Sequence, residues 1–286
     1  MDAPAGPDRI AHMTERQRRQ PLQADHVGAR LSEWRKRRRE SQLSLAITAN
    51  ISQRHLSFLE SGRTLPSREM LIRLCDALDI PLRARNELLA SAGYAALYPE
   101  RSLDLAEMAS VREALMRIIT HHEPYPSFVV DRQWRVVMHN NGAARLVAAC
   151  FDEATLRALQ ADGPLNLMRM MFEPSQMRPR ILNWQAVAPR LLARLRNEAR
   201  GDPRSPSASL LSEFGPSAGC DLAADDQERA ELPIVPLQLK IDGTVLHLFN
   251  TITTFGTPQD VGLQELRIEL SYPMTSQTRD FLAGLV

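Results

Sequence analysis

Within the five residues from Gln53 to Ser57, Gln53, Arg54 and Ser57 have the chemistry to read base-pair edges. A glutamine amide pairs bidentately with adenine and an arginine guanidinium with guanine, while a serine one helical turn on reaches a base or a phosphate. His55 and Phe58 share the same flank, and Ser52 offers a hydroxyl that can cap a helix beginning at Gln53. Upstream, Gln42 falls where an amide beside a helix N-terminus suits a backbone phosphate, and Arg63 prolongs the phosphate-facing edge. Gln42, Ser52, Gln53, Arg54, His55, Ser57, Phe58 and Arg63 together form the set expected of a helix laid in the major groove of double-stranded DNA.

The elements that must hold this set are legible around it. Ser41 can cap a short helix, on one face of which the spacing places Leu43, Ala46, Ile47 and Ala49. Asn50 breaks the pattern, Ile51 sits in the turn, and Leu56 and Leu59 point a second helix inward until Gly62 stops it. An ordinary helical hairpin facing only water is the plain alternative. The order of cap, apolar pair, turn and polar helix favours a helix-turn-helix. Val27, Leu31 and Trp34 begin the helix before it, and the basic run Arg35 to Arg39 spans more than a turn, so only part of it can face DNA. Ser67 and Pro81 open two further helices, giving a five-helix bundle.

The chain of 286 residues, 44% hydrophobic, is long enough for two cored domains. Its net charge of +1 hides an asymmetry: residues 1–93 hold 16 basic against 11 acidic residues (+5), residues 94–286 hold 19 against 23 (−4). Only the first part attracts phosphate. Neither a run of about 18 apolar residues nor an apolar leader occurs, which predicts a cytoplasmic, nucleoid-associated protein with no membrane partner. Cys75, Cys150 and Cys220 are odd in number and far apart, as reduced structural thiols are. His121, His122, His139 and His247 lack the spacing of metal ligands, and no phosphate loop, nucleophile elbow or triad spacing appears. Neither metal, cofactor nor enzymatic activity is expected.

Residues 1–25 read as a flexible tail, 26–93 as the DNA-binding domain, 94–104 as a linker, and 105–286 as a second domain. In the last, a helical stripe runs from Leu105 to His121. Phe128 to Val130 and Trp134 to Met138 read as a hairpin, and helices follow through Leu146, over Leu165 to Phe172 and over Arg180 to Arg200, where Pro189 could kink or divide the helix. Gly201 to Leu232 is rich in turn formers and expected to be exposed, with a short helix around Leu210 to Phe214. Strands Ile234 to Ile241, Thr244 to Thr254 and Leu263 to Tyr272 and a final helix through Phe281 end the chain, with Asp242-Gly243 as a two-residue turn. The fold class is α + β: an all-α bundle, then a five-stranded antiparallel sheet with helices on one side. That is the plan of a PAS-like sensor domain, although the pattern also allows other α + β sheets.

With these residues laid out, the chain resembles bacterial Xre-type helix-turn-helix regulators carrying an MmyB-like ligand-binding domain, over about residues 26–284. The likeness is carried by ISQRHLSFLESGRTLPSREMLIRLCDALDIPLRARNELLASAGYA from Ile51 to Ala95, by Phe128 to Asp131 with Trp134, by RPRILNW from Arg178 to Trp184, and by TITTFGTPQDVGLQELRIE from Thr251 to Glu269. Asn50 stands where many such turns have glycine, and it too tolerates left-handed backbone. The resemblance implies a PAS-like second domain sensing a small ligand, of fatty-acid type in some members. A pocket between sheet and helices would draw on Trp134, Met138, Asn140, Trp184, Phe249, Thr251, Thr253 and Phe255, with Arg180 and Asn183 as polar members and Arg180 placed to meet a carboxylate. For each of them, core packing or a surface ion pair is the plain alternative.

The expected function is therefore sequence-specific transcriptional regulation by a homodimer on an operator, modulated by a small apolar or fatty-acid-like effector. The alternative is a constitutive repressor or antitoxin whose second domain is a dimerisation or protein-interaction module.

Overall fold

The computed structural model describes residues 26–161, 163–201, 204–220 and 234–285. The expected tail, residues 1–25, lies outside them, as does much of the turn-rich stretch between Gly201 and Leu232. Contacts divide the chain into two units, Met1–Tyr98 and Pro99–Val286.

The first unit is built of α1 (Val27–Arg37), α2 (Gln42–Thr48), α3 (Gln53–Glu60), α4 (Arg68–Ala77) and α5 (Leu82–Ser91). Serine hydroxyls start three of them: Ser41 accepts from the Ser44 amide at 3.0 Å, Ser52 from His55 at 3.1 Å and Ser67 from Met70 at 3.2 Å. Each satisfies an amide that the helix cannot. His26 caps α1 through Nδ1, 3.1 Å from the Gly28 amide. Asn50 turns the chain between α2 and α3 at φ 53°, and Gly62 ends α3 at φ 72°. Leu31, Leu45, Ala46, Leu56, Leu59, Leu71, Leu74 and Leu88 fill one core.

The apolar face of α2 differs from the one its spacing suggested. Leu45, Ala46 and Ala49 are buried, whereas Leu43 and Ile47 are exposed. At 100° per residue the first three fall within a 100° arc, and Leu43 and Ile47, one turn apart, lie opposite it.

The second unit opens with a 3₁₀ turn at Ala106–Met108 and α6 (Ala109–His121), followed by β1 (Ser127–Val130), β2 (Val136–His139), α7 (Asn141–Cys150), α8 (Glu153–Gln160) and α9 (Leu167–Phe172). Next come a 3₁₀ turn at Arg178–Arg180, α10 (Trp184–Gly201), α11 (Pro206–Phe214), β3 (Leu237–Ile241), β4 (Thr244–Thr253), α12 (Val261–Glu265), β5 (Arg267–Pro273) and α13 (Ser276–Gly284). The strands form one antiparallel sheet in the order β2-β1-β5-β4-β3. Asp242 and Gly243 turn β3 into β4 with φ 44° and 81°, the paired positive angles of a tight hairpin. Helix α10 runs through Pro189 undivided.

Helices cover both faces of the sheet rather than one. Leu115 and Ile119 of α6 pack with Val129, Ile268 and Leu270 on one side. On the other, Val130, Leu239, Ile241, Leu246 and Leu248 meet Leu146, Phe172, Trp184, Leu192 and Leu210. Alternation along each strand supplies two apolar faces, so a second helical layer is required to bury them.

Trp134 belongs to a turn, not to the strand expected to begin there. The Asp131 carboxylate accepts from the amides of Gln133 at 2.7 Å and Arg135 at 3.0 Å, and this closure holds Trp134 at φ 64°. The expected linker from Tyr94 to Asp104 is bound from both ends. The Asn86 side chain accepts from the Leu97 and Tyr98 amides at 3.0 and 3.1 Å, while the Pro99 carbonyl accepts from Val261 at 2.8 Å and the Asp260 carboxylate from the Arg101 amide at 3.2 Å.

Candidate nucleic-acid interface and ligand cleft

With Leu56 and Leu59 fully buried, α3 turns Ser52, Gln53 and Arg54 into solvent, and Ser57 and Phe58 follow one turn on, partly exposed. His55 is half-buried on the flank. The guanidinium carbons of Arg54 and Arg63 lie 5.4 and 5.3 Å from the Phe58 ring centroid. Cation–π contact of this kind orders two long cations that would otherwise sample many rotamers.

Behind the helix, Glu60 is the fastening. Its carboxylate takes the Arg35 guanidinium in two bonds of 2.6 and 2.9 Å and the Gln42 amide in a third of 2.8 Å, which joins α1, α2 and α3 at one point. Side-chain exposures of 11% for Arg35 and 6% for Glu60 make this an interior pair. Burial opposes the Glu60 charge, but the bonds from Arg35 and Gln42 outweigh it and hold the carboxyl below its usual value; the same bond raises Arg35. Gln42, expected at a phosphate, thus has its amide nitrogen engaged by a carboxylate. Glu60 is absent from the expected set because only the three-helix meeting reveals it.

Gly28 was equally invisible. A Cβ there would stand 1.9 Å from the Leu59 carbonyl oxygen, so the bare Cα is what lets α1 lie against the end of α3.

Of the basic run, Arg35 is held by Glu60, Arg37 by Glu33 at 2.5 Å, and Arg38 by the Leu78 carbonyl at 3.0 Å. Lys36, Arg38 and Arg39 are the exposed members, the last at φ 57° just past the end of α1.

In the second unit the expected ligand residues do not converge. Trp134, Trp184, Arg180 and Asn183 belong to the helix-rich side, whereas Met138 and Phe255 pack with the α6 cluster. The register puts Phe249, Thr251 and Thr253 on that α6 face too, and the two threonines are solvent-exposed. Asn140 is a structural joint: its carbonyl caps α7 through Ala143 at 2.9 Å and accepts from Ser127 at 3.0 Å, while its amide donates to Ile119 and Tyr125 at 3.1 and 2.8 Å. Asn183 pins the start of β3 through Pro236 and Gln238. Phe249 stacks on Tyr272 with ring centroids 5.1 Å apart.

Trp134 is 2% exposed and sits in a charged nest. The guanidinium carbons of Arg194 and Arg267 lie 4.1 and 4.7 Å from its ring centroid, and its indole donates to Glu198 at 3.2 Å. Arg194 meets Glu269 at 2.7 Å and Arg267 meets Glu198 at 3.2 Å, although in these two ion pairs neither Arg267 Nη1 nor Glu269 Oε1 is aligned as a hydrogen bond. Burial lowers Arg267 below the usual arginine range, against the pull of Glu198.

A cleft of about 980 Å³ opens elsewhere, between the β1–β2 turn, α8, α9 and α11. Leu159, Leu165 and Leu210 supply an apolar wall. Arg135, Arg169, Arg204, Glu173 and Glu213 also line the cleft, and Arg169 grips Glu213 in two bonds of 2.5 and 2.7 Å. The Gln176 carbonyl oxygen at the cleft is buried without a hydrogen-bond partner. None of the expected ligand residues lines it. Residues from separate stretches of the chain line this cleft, and no local pattern marks it. Burial meanwhile pushes the Cys75 thiol up to about 12 and that of Cys150 to about 11, so neither offers a thiolate at neutral pH.

Comparison with protein families supplies the assignment. Residues 26–88 match the model of a helix-turn-helix domain, and residues 111–285, more than half of the chain, match the MmyB-like transcription regulator ligand binding domain. The chain belongs to the MmyB-like transcription regulators. No curated protein matches it. In this MmyB-like regulator, Arg54 and its neighbours lie within the helix-turn-helix match and the cleft within the ligand-binding match. The chain is thus a DNA-binding transcription regulator with a ligand-binding domain. No helix among the described residues is long and apolar enough to cross a membrane.

Proposed function

We propose that this regulator reads its operator through Gln53, Arg54 and Ser57, as a homodimer of Xre type in the bacterial cytoplasm, on half-sites about 34 Å apart or a multiple of that. The observation that carries this reading is the exposed polar face of α3, fixed from behind by Glu60 and flanked by Arg63. Arg54→Ala is expected to cost about 1–3 kcal/mol on the specific operator and less on random DNA, measured by fluorescence anisotropy at fixed salt. Equal losses on both DNAs would assign Arg54 to phosphate alone.

The second unit, of PAS-like plan, biases that binding through a small effector held in the cleft. An apolar wall beside arginines suits an amphiphile with an acid group, such as a fatty acid. The ligand acts on DNA only by binding the competent and incompetent arrangements unequally. Mass spectrometry of molecules extracted from the purified chain tests the class. If nothing is extracted, and no added acidic amphiphile moves operator affinity in wild type, the constitutive repressor with an interaction module replaces this reading.

A further inference from the structure

The inner sheet strand β4 is only partly covered by its neighbour β3. Their register runs from Ile241↔Thr244 to Leu237↔Leu248 and stops, while β4 continues along β5 as far as Thr253↔Ile268. The Met274 amide donates to the His247 carbonyl at 2.9 Å, which fixes the parity of the ladder. Odd-numbered residues from His247 to Thr253 therefore direct their backbone groups to β5, and even-numbered ones direct theirs to the β3 side. Leu248 meets Leu237 there. Asn250 and Ile252 come next, and among the described residues no strand or loop backbone bonds to them.

Two amides and two carbonyls thus stand in a row at an edge where Asn250, Thr251, Ile252 and Thr253 are all exposed, Ile252 at 47%. The usual defences of a sheet edge, a lysine, another charge or a proline, do not occur between Phe249 and Phe255. The spacing is also self-complementary. Turned by a twofold axis at Thr251, a second copy sets Asn250 opposite Ile252 and Ile252 opposite Asn250, so that the same four groups satisfy one another. Thr251 then faces Thr251 of the mate, a favourable cross-strand pair. A foreign peptide would find only two residues to bond along, whereas a mate already held on the adjacent half-site needs no more.

We propose that the β4 edge at Asn250–Thr253 is where two copies of this chain pair, antiparallel about a twofold at Thr251. The inference rests on the dimeric reading above and names its surface. Sedimentation velocity on the full chain, free and on operator DNA, compares wild type with the Asn250→Lys/Ile252→Lys double variant, whose fold is checked by circular dichroism. In a Cys220→Ser background, Thr251→Cys is oxidised alongside Thr244→Cys, which the β3 ladder covers. The expected result is a wild-type dimer, loss of that dimer in the lysine variant, and a disulfide-linked dimer from Thr251→Cys but not from Thr244→Cys. A lysine variant that stays as dimeric as wild type, or a Thr251→Cys dimer that fails to cross-link, overturns the β4 edge and leaves the dimeric reading standing. A wild-type chain that is monomeric both free and on operator overturns both.

Discussion

Removing the Glu60 carboxylate should unfasten the DNA-binding unit, and the size of the effect follows from what it leaves behind. In Glu60→Ala the Arg35 guanidinium keeps one bond, to the Glu40 carbonyl at 2.8 Å, and loses both bonds to its counter-ion while remaining interior. Gln42 loses its partner in the same step. Breaking a buried pair by removing one member costs about 3–5 kcal/mol, because the other charge stays desolvated. A unit of roughly 65 residues has only about 3–10 kcal/mol to lose. At about 4–8 °C per kcal/mol, its melting transition should fall by about 12 °C or more. Calorimetry of the full chain reads the transition, and hydrogen exchange over α1 to α5 assigns it to this unit. Replacing both partners, Arg35→Met with Glu60→Leu, should recover most of the loss, since an apolar pair of similar volume leaves no charge to strand. A Glu60→Ala cost below about 1 kcal/mol, the scale of an exposed ion pair, would refute the claim that this bridge is interior.

Two further outcomes are expected. Gly28→Ala should destabilise the same unit by about 1–3 kcal/mol, because its Cβ would meet the Leu59 carbonyl at 1.9 Å and backbone, not a flexible side chain, must yield; an unchanged melting curve would show that α1 rides farther from α3. The Glu60 carboxyl, held below its ordinary value, contributes stability that is present above the unfolded value of about 4.3 and is lost as pH falls through the folded one. The gap in stability between wild type and Glu60→Gln should therefore narrow on acidification below about pH 4, and a gap constant from neutral to acid pH would contradict the assignment.

What could be seen in the sequence was local. Ser41, Ser52 and Ser67 cap helices because a hydroxyl in front of a helix satisfies a specific amide, and Asp242-Gly243 turns a hairpin because both positions tolerate positive φ. What stayed hidden depends on partners distant in the chain. Leu43 and Ile47 read as inward because both are apolar at helical spacing, but only the position of the bundle decides which side of α2 is covered. Trp134 read as a strand residue because aromatics favour strands, yet Asp131 bends the chain beneath it. Most of the expected ligand residues are apolar side chains near the expected sheet, and such residues fill cores on either face equally well. The cleft at α8 and α11 is instead bordered largely by polar side chains, which carry no periodic signal.

The nest around Trp134 constrains how this chain can change over generations. Two arginines and two glutamates from α10 and β5 balance one another where little solvent reaches, so losing any one leaves a net charge in the interior. Arg194 is therefore tied to Glu269, and Arg267 to Glu198, across some seventy residues of sequence. Descendants should exchange these positions in pairs, or not at all, and the partners of Trp134 should drift as a block while the exposed strand residues beside them vary one at a time.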